Sequence, residues 1–262
     1  MNPELFMEPL HYLIFHPDYA RQKTEVYGQA LINNQVTDWK GQVWVDSPGG
    51  NEDPFVFSQR WLYSYCHATQ LRRSPRNAPY VTEGSYLFFC SGNAADKGAI
   101  QLDTVFVVDY SANWPNNQQG LPEEFQQDYK NTKSDLWERH FKYAFLGHHE
   151  GIYTYVSKQW FDSKGEYSFL PISQNGERVA FKLNALTPDL QLIIKDKIRG
   201  KYPVPLNEEQ KIELLELTLS LATVQVIGSL ARQYKKTNST DACSRSCKRN
   251  STNIAKSSKQ TC

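Results

Sequence analysis

The sequence predicts an α+β protein: a mixed, largely antiparallel sheet, able to curl toward a barrel-like form, with flanking helices and a long C-terminal helix. Two observations carry that expectation. The stretch Tyr80–Tyr110 (YVTEGSYLFFCSGNAADKGAIQLDTVFVVDY) holds two short apolar arms, Tyr86–Cys90 and Ile100–Val108, either side of a Gly-, Ala- and Asn-rich link. Their aromatic and β-branched residues suit a pleated surface, and neither arm alternates cleanly, as expected of strands covered on both faces. Elsewhere, apolar residues recur at helical spacings of three and four, most persistently between Asn207 and Tyr234.

In chain order, His11–Phe15 (HYLIF) reads as a first strand stopped by His16-Pro17-Asp18. Tyr19–Ile32 reads as a helix capped by Asp18, with Tyr19, Tyr27, Ala30 and Leu31 as its apolar stripe. Gln42–Val45 is a short strand before the Ser47-Pro48-Gly49-Gly50 loop, and Ser58–Leu71 a second helix ending in Arg72, Arg73 and Arg76. Residues 111–132 look irregular. Lys133–Leu146 follows as a helix with Gly147 as its cap. Ile152–Val156 alternates as a strand, and Tyr167–Ile172 and Arg178–Leu183 flank an Asn175-Gly176 turn, the clearest hairpin signal in the chain. A short helix opens at Thr187-Pro188-Asp189 and runs to about Lys197. The last helix starts at Asn207 with Gln210 as capping partner, and Ile212, Leu215, Leu219, Ala222, Val226 and Leu230 mark its stripe. Further leucines widen that stripe, so helix 207–234 is either buried on more than one side or the seam of a homodimer.

Charge is unevenly placed. From Lys235 onward seven basic residues face Asp241 alone, a net +6, so a chain of net +1 leaves residues 1–234 at −5. A mildly acidic body excludes a globally basic nucleic-acid binder and confines any phosphate contact to local patches or the tail. Residues 1–234 are expected to form a single globular domain, and 235–262 a disordered, basic, Ser/Thr-rich tail. No apolar run is long enough to span a membrane, the N-terminus lacks the pattern of a signal peptide, and five cysteines without a regular framework fit a reducing cytoplasm.

No complete motif for a cofactor or metal is present, and none is expected. Candidate chemistry therefore rests on local groupings. Arg72, Arg73 and Arg76 are three guanidinium forks in five positions, suited to bidentate phosphate contact and also to complementing a helix C-terminus. The link Ser91–Gly98 carries Ser91, Asn93 and Lys97, which can receive an anion, although it lacks the P-loop pattern. Asp103 stands in the polar opening of the second arm, where a rigid strand would hold it. His148, His149 and Glu150 pair two imidazoles with a carboxylate, a possible proton donor and acceptor with Asp103. Trp61, Tyr86 and Phe88 would supply an aromatic pocket for a base.

The first strand ending in an aromatic and Pro, the segment GSYLFFCSG and the segment IQLDTVFVVDYSANW together resemble the nucleotide-modification-associated domains of bacteria and phages. GSYLFFCSG is also similar to the Gly-led aromatic strand of the PUA-like group. The resemblance covers about the first half of the chain and implies recognition or processing of modified bases in a DNA-modification or restriction setting. The alternative is a hydrolase or transferase acting on nucleotides.

Overall fold

The computed structural model describes residues 9–17, 21–46, 53–63, 71, 81–92, 98–114, 152–162, 165–195 and 203–232. Its strands are β1 (His11–Pro17), β2 (Arg21–Ile32), β3 (Gln35–Asp46), β4 (Leu62–Tyr63), β5 (Tyr86–Gly92), β6 (Ala99–Trp114), β7 (Ile152–Ser157), β8 (Leu170–Ser173) and β9 (Val179–Lys182). Helix α1 (Pro188–Lys195), β10 (Val204–Leu206), α2 (Glu208–Leu221) and β11 (Ala222–Arg232) complete them. The larger sheet runs β10-β1-β5-β6-β7-β4, with β9 also on β6, and the smaller runs β3-β2-β11-β8. Only β1 and β5 pair in parallel; every other strand pairing described is antiparallel. Both sheets are open, so the barrel-like alternative is not realised.

The two apolar arms are adjacent strands at the centre of the larger sheet. β6 is its spine: β5 lies along one side, and β9, Phe169 and β7 follow one another along the other. Leu87 and Phe89 enter one core, between the sheets, together with Val26, Val43, Trp44 and Val226. Tyr86, Phe88 and Cys90 enter a second core with Leu190 and Ile194 of α1 and Leu214 of α2. Burial on both faces explains why neither arm alternates.

Residues 111–114, expected to be irregular, are the end of β6, and four other elements differ from expectation. The described part of the expected helix Tyr19–Ile32 is a strand. It is β2, joined to β3 through Asn33 and Asn34, whose φ values of 51° and 60° are left-handed. Asn tolerates that conformation better than other side-chain-bearing residues, and two such residues make the hairpin turn whose twist matches the strands. The long C-terminal helix is also not formed. α2 starts at the expected capping box, Asn207 with Gln210, but stops at Leu221. The β-branched run Thr223, Val224, Val226, Ile227 then continues as β11, between β2 and β8. Two-sided burial of that segment came from sheet pairing, so the basis for a homodimer seam along 207–234 falls away. On α2 itself Lys211, Leu214 and Thr218 face inward, whereas Ile212 and Leu219 are exposed. The expected helix Ser58–Leu71 is not regular at its start: residues 58–60 are bends and Leu62–Tyr63 form β4. The Asn175-Gly176 turn does form, with Gly176 at φ 77°, but its arms part into different sheets, β8 onto β11 and β9 onto β6. The proposed helix Lys133–Leu146 and the tail lie outside the described residues.

Candidate functional site

Where β5 and β6 run together, Phe89 pairs with Thr104 and Cys90 with Leu102, so Asp103 is an extra residue opposite the Phe89–Cys90 step. This bulge resets the alternation. Leu102 and Val105, three apart, both enter the second core, and the residues between them fall toward the inter-sheet side. A bulge re-aims a side chain in this way. It puts a carboxylate, with a side chain of 0% exposure, between the sheets.

Two arginines meet it there. Arg178, just past the Asn175-Gly176 turn, donates from Nη1 to Asp103 Oδ1 at 2.9 Å and to Ser91 Oγ at 2.8 Å. Arg21, at the start of β2, brings Nε to 3.3 Å from Oδ2 and donates from Nη2 to the carbonyl of Asp53. Asp103 on the larger sheet is thus tied to Arg21 of the smaller sheet and to the turn that crosses between them. Burial, and then the Asp103 carboxylate, push the neighbouring Cys90 thiol well above its usual range, while Arg21 opposes. His16, registered with Ser91 across the parallel pair, has its ring 5.9 Å from that of Phe89.

Outside this knot the sheets leave an open cleft of about 820 Å³, with Trp44, Gln101, Asn175, Glu177 and Arg178 in its lining. The Arg178 guanidinium carbon is 5.5 Å from the Trp44 ring centroid, and Lys23 Nζ is 4.9 Å from it. Lys23 also pairs with Glu177, both about half exposed. Gln101 Oε1 is buried without a hydrogen-bond partner among the described residues. The volume suits a small polar ligand, and the lining combines an indole, a fixed guanidinium, amides and hydroxyls.

At the opposite ends of β1 and β5 lies a structural cluster. His11 Nδ1 accepts from the Tyr86 backbone N–H at 3.0 Å, so Nε2 carries the hydrogen and donates to Glu208 Oε2 at 2.8 Å. Burial lowers the His11 pKa against the opposing pull of Glu208. The Tyr86 hydroxyl donates to Glu166, and burial, reinforced by that carboxylate, keeps the phenol protonated.

The expected site residues thus divide. Asp103 and Ser91 converge on Arg178. Trp61 is fully buried in the inter-sheet core with Nε1 donating to the Gly228 carbonyl at 2.8 Å, whereas Tyr86 and Phe88 enter the second core, on the other face of the larger sheet. These three rings therefore do not line one hollow: Tyr86 and Phe88, two apart on β5, share the face turned away from the core that holds Trp61. Arg72, Arg73, Arg76, Asn93, Lys97, His148, His149 and Glu150 lie outside the described residues. Arg21, Trp44, Gln101 and Arg178 were not singled out as site residues from the sequence. The polar start of β6 hinted at Gln101, but no local pattern marks Arg178, whose partner is 75 positions away. Among the described residues no group of three or more His, Cys, Asp or Glu is placed to hold a metal ion, and no helix is long and apolar enough to cross a membrane.

No family model matches the chain, and no solved structure matches it. Among curated proteins, ribonuclease DdI of Dictyostelium discoideum is 36% identical over 67 residues, 22% of this chain and 30% of that protein. The match thus spans under a third of that relative's length.

Proposed function

We propose that this chain binds nucleotides, free or within a single strand of nucleic acid, in the cleft between its two sheets. The observation that carries the reading is Arg178, held by Asp103 and Ser91 and set against Trp44 at the cleft wall. Bases stack on aromatic rings and on guanidinium planes, and the cleft wall holds one of each, Trp44 at 9% exposure and the Arg178 side chain at 10%. Lys23 supplies the phosphate contact. Its pair with Glu177 is exposed, worth about 0–1 kcal/mol, so a phosphate displaces Glu177 at little cost. Lys23 then leaves the Trp44 ring, and the base takes its place. Asp103 acts as a positioning residue for Arg178, since its oxygens already face two guanidinium groups. The resemblance to nucleotide-modification-associated domains narrows the ligand to modified bases in DNA, and the partial likeness to a ribonuclease also favours a nucleic-acid ligand.

The test is fluorescence anisotropy with labelled single-stranded oligonucleotides, modified and unmodified, at low salt. Trp44→Leu is expected to weaken binding by about 5- to 150-fold, the worth of one stacked base. A folded wild-type chain that ignores every oligonucleotide would refute the reading.

The likeness to ribonuclease DdI also supports a second reading, an enzyme acting on RNA or nucleotides. In that case His148, His149 and Glu150 supply the acid and base. RNA cleavage lost on His149→Ala would favour it, and equal turnover in His148→Ala, His149→Ala and wild type would remove those residues from the chemistry.

A further inference from the structure

We infer that the outer edge of β3 docks a second copy of this chain, the two β3 strands pairing antiparallel about a two-fold axis at Trp39. β3 is an end strand of the smaller sheet, and among the described residues nothing pairs with its outer side. Val36, Thr37, Asp38, Lys40 and Gln42 along it are exposed. A long strand edge of this kind is a template for another strand, and bulges or prolines are the usual protection. β3 has neither: it pairs with β2 over 12 residues without a shift in register. The hairpin turn fixes which backbone groups point outward. Ile32 and Gln35, either side of Asn33-Asn34, form the first pair. Across a two-residue turn with both φ values positive, such a pair exchanges hydrogen bonds. Alternation then turns Gln35, Thr37, Trp39 and Gly41 toward β2, and leaves the N–H and C=O groups of Val36, Asp38, Lys40 and Gln42 to the outer side.

Charge selects both the partner and the register. Opposed residues of an antiparallel pair either both exchange hydrogen bonds or both do not, so two identical edges must centre on a residue. Centring on Asp38 or on Lys40 sets like charges against each other, which is destabilising. Along the exposed part of the edge, only the pairing centred on Trp39 opposes unlike charges: Asp38 meets the partner's Lys40, and Lys40 meets the partner's Asp38. Both contacts fall at hydrogen-bonded positions of the outer edge. Trp39 then meets its own copy at the closely spaced position between them, where aromatic pairs are favourable. A strand from an unrelated protein has no reason to carry this complement, whereas a second copy carries it by symmetry.

The experiment is sedimentation equilibrium of the full chain from low micromolar to near-millimolar concentration, with circular dichroism to show that each variant is folded. Wild type is expected to pass from monomer to dimer within that range. Asp38→Lys sets lysines against lysines, and Lys40→Asp sets aspartates against aspartates. Each variant alone should therefore self-associate at least about 5-fold more weakly than wild type. An equimolar mixture of the two restores unlike charges at both contacts and should recover the wild-type dimer. A wild-type chain that stays monomeric would overturn the assignment, the edge then falling to another segment of this chain or to a different partner. A wild-type dimer that both variants leave unchanged would overturn it too, as would folded variants that fail to associate when mixed.

Discussion

Replacing Asp103 by Ala removes the carboxylate that joins the two sheets at the cleft and leaves the Arg21 and Arg178 guanidinium groups buried without it. The Asp103 side chain is 0% exposed, and those of its partners 2% and 10%. Breaking a buried ion pair by deleting one partner costs about 3–5 kcal/mol, mostly because the remaining charge stays desolvated. For a chain of this size each kcal/mol corresponds to roughly 2–4 °C, so the melting temperature should fall by about 6–20 °C. The internal control is Asp109→Ala. It breaks an Arg60 pair of 2.8 Å whose members are each 27% exposed, and should cost no more than about 1 kcal/mol. Urea unfolding followed by circular dichroism measures both, with an unchanged m-value as evidence that the unfolded states are comparable. Adding Arg178→Met to Asp103→Ala should recover part of the loss, since it removes a charge that the first substitution stranded. If Asp103→Ala costs as little as Asp109→Ala, the buried knot does not hold the sheets together and the reasoning fails.

Two other perturbations probe the frame. Burial lowers the His11 pKa from 6.5, so the unfolded chain takes up this proton more readily than the folded one. The His11 contribution is then whole above about pH 6.5 and declines as pH falls toward the folded-state pKa. His11→Gln should flatten the stability profile over that range, and an unchanged slope would show that His11 does not carry it. Gly228 holds φ 69° within the irregular part of β11 and accepts the Trp61 indole hydrogen. Gly228→Ala should cost roughly 1–2 kcal/mol for a side chain in the left-handed region, and thermal melting indistinguishable from wild type would contradict that backbone geometry.

What the sequence disclosed, and what it concealed, follows from the range of the interactions involved. Tyr86–Cys90 and Val105–Val108 were legible because burial on both faces leaves an unbroken apolar run in the chain itself. The Asn207–Gln210 cap and the Asn175-Gly176 turn were legible for a similar reason, since each is a local backbone requirement. β2 was misread because Tyr27, Ala30 and Leu31 fall at helical spacing, while the deciding feature, Asn33-Asn34, lies beyond its end. β11 was misread because leucine-rich helix and β-branched strand abut at Leu221–Ala222 with no Pro or Gly between them. The cleft was least legible. Asp103 was noticed as a polar residue in a strand, but its burial depends on a one-residue bulge, and its partners Arg21 and Arg178 come from distant segments. No spacing rule connects those positions.

Amide hydrogen exchange of the full chain, with and without saturating adenosine 5′-monophosphate, tests nucleotide binding in the inter-sheet cleft at the level of individual segments. Slower exchange on binding is expected at residues 43–45 of β3 and across the 173–178 turn, which wall the cleft, with the His11–Tyr86 end unchanged. Protection that appears only at the His11–Tyr86 end, or nowhere, would contradict it.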